Sequence, residues 1–442
     1  MASATAHQVD THSGGHVGRA LMFLVVLGYY WITLAPFPDL GLASLADPYS
    51  GSSNLLNQVV AIALFGALLV FALRHPLRHL VAQPRLLLAA LFGWFTITSL
   101  MADDPGTALK RVAMAAMVCV GASIFLLLPR DEKHFAKLIG IGLLLLLGLA
   151  YWGVLFWPSR SIHQLTDVVE PLLAGLWRGE FGHKNVAAEA MAFTIFGGLF
   201  VWARWSKLVG AMLIGFALFF LFKTGGKTSL MMVPAMLVLA FAFERWRGLR
   251  LPIAVGGLGL FNLVAVGSAV WPPIQKLVAG LGIDATFTDR VDIWQLAFSA
   301  IGRRPLTGYG FQSYWQTETL VYGGGNVETW AVFAANGHNA YLDAAVNAGI
   351  PGLVLVVLWL VIRPIGDLAR AEGSGNDPAL TRLFLRIWLY GIFAASLESS
   401  FFVNAGPVWF TILIGVFGLQ YQGRGQLVTR PRPALVGEAV HV

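Results

Sequence analysis

The chain has 442 residues, of which 57% are hydrophobic and only 12% charged. Soluble domains carry about 25% charged residues, so an ordinary soluble fold is excluded; the formal charge of +7 matters less than how Lys and Arg divide between the two sides of a membrane. One cysteine, Cys119, excludes an internal disulfide, and its place in an apolar run makes it a packing residue.

The first 19 residues are polar, with His7, His12 and His16, and no small-residue cleavage site follows the first apolar run, which is expected to be a retained anchor. A bilayer core of about 30 Å needs about 20 mostly apolar residues per helix. Apolar run length predicts twelve spanning helices, at approximately 20–38, 55–73, 86–102, 107–128, 136–157, 185–203, 207–222, 229–243, 251–271, 351–370, 381–402 and 406–421. The seventh and eighth are short and are expected to be tilted or broken near Gly225-Gly226. With this count, loops assigned to the cytoplasm carry nineteen of the thirty lysines and arginines, among them Arg85, Arg363, Arg370 and Arg424, and the opposite side carries eleven. Both termini are then expected to be cytoplasmic. The division is helices one to nine over 1–271, an external loop domain over 272–350, and helices ten to twelve with a tail over 351–442.

Two external segments exceed a turn, about 158–184 and about 272–350. In the second, Asp289 to Phe298 puts Val291, Trp294, Leu296-Ala297 and Phe298 near one helical face, closed by Arg303-Arg304-Pro305. Gly323-Gly324-Gly325 reads as a mobile linker or lid. Farther on, Asn336 is expected to cap a helix, Gly349 to end it and Pro351 to open the next. His338 would then lie in the first turn, where the helix end disfavours imidazolium and leaves a neutral ring suited to general-base work.

The external basic residues are the candidates for chemistry, because they run against the orientation bias. Lys184, in Gly182-His183-Lys184-Asn185, and Lys223 and Lys227, flanking Gly225-Gly226, stand where helices meet the interface and could hold phosphate. Snorkelling accounts for these lysines equally well. Arg290 could grip a diphosphate through its forked donors, with an ion pair to Asp289 or Asp292 as the alternative. Gly226-Lys227-Thr228 is no nucleotide loop, since that motif needs glycine where Leu221 stands. His163, His183 and His338 show no ligand spacing with Glu180, Asp343 or Glu398, so no metal is expected. Nor is any basic, aromatic-interleaved surface for nucleic acid present in the pattern.

Gly337-His338-Asn339-Ala340-Tyr341-Leu342, followed by Gly349 and Gly352, resembles the His-Asn-x-Tyr-Leu signature of the O-antigen ligase and polymerase family of bacterial envelope enzymes. The Gly-His-Lys-Asn segment, the basic turn at 225–229, Arg290 with Trp294, and Gly308-Tyr309-Gly310 agree with it. Many family members look like Ser-Arg where this chain has Gly226-Lys227. The resemblance implies an all-α polytopic membrane protein with about twelve transmembrane helices and a large helical periplasmic loop, similar to GT-C-like glycosyltransferases. It further implies an inner-membrane enzyme with its active site facing the periplasm and no cofactor. Its donor would be a glycan on undecaprenyl diphosphate and its acceptor a sugar hydroxyl of lipid A-core. Through the resemblance His338 and Arg290 would be catalytic, with Lys184, Lys227, Lys223, Asn339 and Tyr341 near the diphosphate. Polymerization of the same donor or transfer to protein would use the same chemistry. A transporter would instead show ionisable residues at helix midpoints or two related halves, and the charges here crowd at one face.

Overall fold

The computed structural model describes residues 7–41, 54–82, 85–168, 170–280, 290–323, 329–374, 377–403 and 406–424, with side chains from Val17 onward. Its first helices are α1 (His7–Ile32), α2 (Asn54–Arg74), α3 (Arg78–Ala82), α4 (Leu86–Ser99), α5 (Pro105–Phe125), α6 (Glu132–Phe156) and α7 (Pro158–Ser161). Then come α8 (Lys184–Arg204), α9 (Lys207–Thr224), α10 (Lys227–Arg245), α11 (Leu258–Val270), α12 (Pro272–Gly280), α13 (Arg290–Arg303) and α14 (Glu318–Tyr322). The last are α15 (Ala340–Val357), α16 (Arg363–Gly373), α17 (Pro378–Ala394) and α18 (Pro407–Gln422). The described residues contain no strand, only an isolated bridge between Ile162 and Trp177.

The protein is an all-helical polytopic membrane protein. Among the described residues, 8 helices are long and apolar enough to cross a membrane, and Val17–Ile32 and Leu86–Ser99 are apolar but shorter. All twelve expected runs fall on helices, yet four end three or more residues short of the expected limits. The first stops at Ile32 because Thr33 turns to φ 64 ahead of Pro36 and Pro38. The eleventh stops at Ala394, where the Ala395-Ser396-Leu397 turn leading to Glu398 begins, leaving α17 with 17 residues and α18 with 16. These two short helices sit inside the bundle, with Trp388, Tyr390, Trp409 and Tyr421 fully buried. A buried helix can be shorter than the lipid core because its neighbours meet the lipid. Helices α8 and α9 form a close hairpin, in which a Cβ on Gly210 would lie 2.6 Å from the Trp202 backbone nitrogen. Small residues of this kind let helix backbones touch where no hydrophobic drive separates helix from lipid.

Two corrections concern the histidine segment. Asn339, not Asn336, caps α15: its side chain accepts hydrogen bonds from the backbone N–H groups of Tyr341 and Leu342, each at 3.0 Å. His338 therefore stands outside the helix, at φ 45, with its own N–H held by the Asn336 side chain at 3.0 Å. The expected break does occur at Gly349, with φ 66 and ψ −176. There the chain passes so close to the preceding loop that a Cβ would lie 2.2 Å from the Leu306 carbonyl oxygen.

The segment between α11 and α15 docks on the bundle through α13. Trp294 packs against Ala265, Val266 and Ala269 of α11, Ile293 and Leu296 against Ala331 and Val332, and Ala297 and Ala300 against Tyr314 and Val346. The expected face is off by a turn edge, since Phe298 points outward and Ile293 inward. Gly324, Gly325 and Asp289 lie outside the described residues, so neither the lid nor that ion pair is described.

Candidate functional site

Four separate stretches bring charge to one point at the end of the bundle where α8, α13 and α15 begin. At its centre is Glu398, in the turn between α17 and α18. One carboxylate oxygen, Oε1, accepts from Arg290 Nη2 at 3.0 Å and from Asn185 Nδ2 at 3.1 Å. The other, Oε2, lies 3.8 Å from His338 Nδ1, an ion-pair separation too long for a hydrogen bond. Arg290 also donates to the Leu397 carbonyl, which aligns its guanidinium against the same turn. Burial alone would raise the Glu398 carboxyl, but the Arg290 charge and then the His338 ring outweigh it and hold it down at about 2. It is thus an anion at any working pH.

The frame around this carboxylate is made of satisfied polar groups. Trp294 Nε1 donates to the Gly337 carbonyl at 3.0 Å, tying α13 to the histidine turn. Asp343 accepts from Trp315 Nε1 at 2.7 Å, from the Gly337 N–H at 3.0 Å and from the Ser399 hydroxyl. One partly buried aspartate thereby fixes both the turn that bears His338 and the turn that bears Glu398. His338 itself is a third exposed, its side chain 32% accessible.

The start of α8 is held by two histidines. His183 caps it, its Nδ1 accepting from Asn185 N–H at 3.1 Å while Nε2 contacts Glu170 at 2.7 Å. His163 Nε2 accepts the Lys184 N–H at 3.3 Å, and its Nδ1 is 3.0 Å from Asp167. Burial, followed by the neighbouring His183, pushes His163 down to about 4 against the pull of Asp167. The neutral ring is the form that can accept from the helix start. Lys184 Nζ in turn donates to Asn185 Oδ1 at 3.3 Å, which couples the lysine to the residue bonded to Glu398.

His338, Arg290 and Lys184 thus gather around Glu398, and the charge of Lys227 is felt at Lys184. Three expected residues are placed otherwise. Lys223 lies over the rings of Trp177 and Phe219, at 5.9 and 5.7 Å. Asn339 is fully buried; besides capping α15 it donates to Asn262 Oδ1 and the Ser396 carbonyl, which uses all its polar capacity. Tyr341 donates its hydroxyl to the Ile392 carbonyl at 2.8 Å, deep in the bundle. Asn339 and Tyr341 build the frame instead of contacting a diphosphate. Sequence reasoning missed Asn185 and the pivotal role of Glu398. The latter carried a signal: it is the one acidic residue between Asp377 and Glu438, and an ionisable residue amid apolar helices marks function by default. Among the described residues, no three His, Cys, Asp or Glu side chains gather as a metal site would require.

Fold and charge placement define a polytopic helical membrane protein whose ionisable groups are collected where its helices end. Residues 185–357 match the family model described as O-antigen ligase, a stretch holding Asn185, Lys227, Arg290 and His338. The chain is similar to the exopolysaccharide production protein ExoQ of Rhizobium meliloti, 29% identical over 136 residues that make up 29% of each chain. It is also similar to a Rickettsia felis protein provisionally named a polysaccharide ligase, 25% identical over 170 residues, 35% of this chain and 40% of the other. Less than half the length of either relative is spanned.

Proposed function

We propose that the protein is a glycosyltransferase that moves a glycan from undecaprenyl diphosphate to a hydroxyl acceptor at the periplasmic face of the inner membrane, with lipid A-core as acceptor. The single observation that carries the reading is the Glu398 carboxylate, which faces the His338 imidazole with one oxygen and the Arg290 guanidinium with the other. The family match and the relatives' names support glycan chemistry.

In this reading the acceptor hydroxyl oxygen attacks the anomeric carbon of the donor and gives its proton to His338. The bond from that carbon to the diphosphate oxygen breaks, and its electron pair leaves with the lipid diphosphate. Attack from the opposite side inverts the anomeric centre. Glu398 stabilises the imidazolium as it forms and orients the ring, the part a buried carboxylate plays beside a catalytic imidazole. Arg290 spends two of its five donors on Glu398 and Leu397, leaving the others for the leaving diphosphate together with Lys184 and Lys227. The polyprenyl tail stays in lipid while the charged head reaches the helix ends, which is where these groups stand.

The test is transfer by the purified protein from undecaprenyl-diphosphate glycan to lipid A-core, in the presence of a metal chelator. Wild type is expected to make product and His338→Ala to be slower by about 10²–10⁴-fold, the usual contribution of general-base catalysis. Equal rates would overturn the base assignment. Donor lengthened on itself, with lipid A-core untouched, would reassign the protein as a polymerase.

A further inference from the structure

At the end of the bundle opposite His338, four arginines from distant parts of the sequence converge. α15 starts just after the histidine and its continuation reaches Arg363; α18 follows the Glu398 turn and ends two residues before Arg424; α4 begins just after Arg85 and ends near Phe311, whose N–H bonds to the Ser99 hydroxyl. Arg370 lies on α16, whose polar face lies at this end and which packs on α18 through a bond from the Ser374 hydroxyl to the Gln422 carbonyl at 3.1 Å. Among the described residues, Asp367 is the one acidic side chain paired with any of the four. It is 2% exposed and pairs with Arg363 at 3.3 Å and with Arg370.

The other two arginines are drawn into the protein instead of into water. Arg85 lies 4.7 Å over the Phe417 ring and donates to the Tyr421 hydroxyl at 2.8 Å, with its Nε buried and without an acceptor among the described residues. Arg424 has a buried Nη1 that likewise finds no acceptor among the described residues, and the charges of Arg363 and Arg85 face it. Arginines that serve only to orient a membrane protein keep their heads hydrated. Buried guanidinium donors, crowded by like charges, are satisfied by an anion with several acceptor oxygens. We propose that Arg85, Arg363, Arg370 and Arg424 form a binding site for the phosphodiester headgroup of an anionic phospholipid in the leaflet at this end. A basic pocket between helix ends at the membrane surface matches that chemistry, and the lipid's acyl chains would lie along the bundle. The site does not depend on the proposed transferase reaction.

The full chain, purified in neutral detergent, is titrated with phosphatidylglycerol, phosphatidylcholine or inorganic phosphate; retained lipid is read by native mass spectrometry and the unfolding midpoint by intrinsic fluorescence. Phosphatidylglycerol is expected to be retained and to raise the midpoint, and phosphatidylcholine to do neither. With each arginine near a lipid surface contributing about 1 kcal/mol, Arg363→Gln with Arg424→Gln is expected to bind roughly thirty-fold more weakly. Where that double variant does not fold, Arg363→Lys with Arg424→Lys keeps the charge and loses the fork, and is expected to bind more weakly than wild type. His338→Ala is expected to retain the lipid unchanged. Retention of phosphatidylcholine to the same degree, or undiminished binding by the folded variants, overturns the proposal. Inorganic phosphate raising the midpoint as far as phosphatidylglycerol does overturns the lipid assignment in favour of a free anion.

Discussion

His338 illustrates how the place of one helix cap alters a side chain's surroundings. Had Asn336 been the cap, the ring would have lain over the positive end of α15; with Asn339 as cap it sits outside the helix, and its nearest charge is the Glu398 carboxylate. The histidine pattern was legible because it lies within six consecutive residues. Its partner was not, because Glu398 is sixty positions away in a different turn. Glu398→Gln keeps the shape but removes the charge that orients the ring and holds Arg290, and is expected to cost roughly a hundredfold in transfer rate. Steady-state assay of the folded variant checks this; an unchanged rate would remove Glu398 from the mechanism. The same residue has a signature in stability. Its folded value of about 2 lies below the 4.5 ordinary for a glutamate, so its charge stabilises the fold above about pH 4.5, and that contribution is lost as pH falls through about 2. Acid unfolding of wild type should show this loss and that of Glu398→Gln should not.

The start of α8 is a joint pinned by two imidazoles, those of His183 and His163. Because His163 is held down at about 4 from 6.5, its contribution to stability is present above about pH 6.5 and is lost as pH falls through about 4, when the ring charges and ceases to accept the Lys184 N–H. Amide exchange at the first turn of α8 is expected to quicken over that window. His163→Gln, which keeps an acceptor without titrating, should flatten the dependence; the same acid response in this variant would rule out His163 as the cause. The break in α15 is the other joint. Gly349→Ala would force a side chain into a conformation almost confined to glycine, at about 1–3 kcal/mol of strain, and into the Leu306 carbonyl. A clear drop in unfolding midpoint is expected, and one equal to wild type would contradict the described turn. Gly349 was readable from sequence because glycine before Pro351 is a local stop signal. The choice between Asn336 and Asn339 was not, because both can cap and only the docking of Asn339 on Asn262 and Ser396 selects one.

The bundle as a whole places the His338 site and the arginine cluster at opposite ends, and the orientation expected from basic loops would put the former outside. This is testable by labelling, with Cys119 buried and silent. A cysteine at Leu172, 97% exposed in the loop before α8, is expected to react with a membrane-impermeant maleimide in intact spheroplasts. One at Arg247, whose side chain is 74% exposed at the other end, should react only after permeabilisation. The reverse pattern would invert the orientation and move the proposed chemistry to the other side. Membrane class, the positions of the twelve apolar helices and the histidine motif were all legible in the residues, because run length and local signatures answer directly to the thickness of a bilayer and to short-range backbone rules. That α17 and α18 are short and buried, and that Asn185, Arg290 and His338 meet on Glu398 across as many as 213 positions, was settled only by tertiary packing. Local periodicity records how each helix meets lipid, but not which helix ends meet one another.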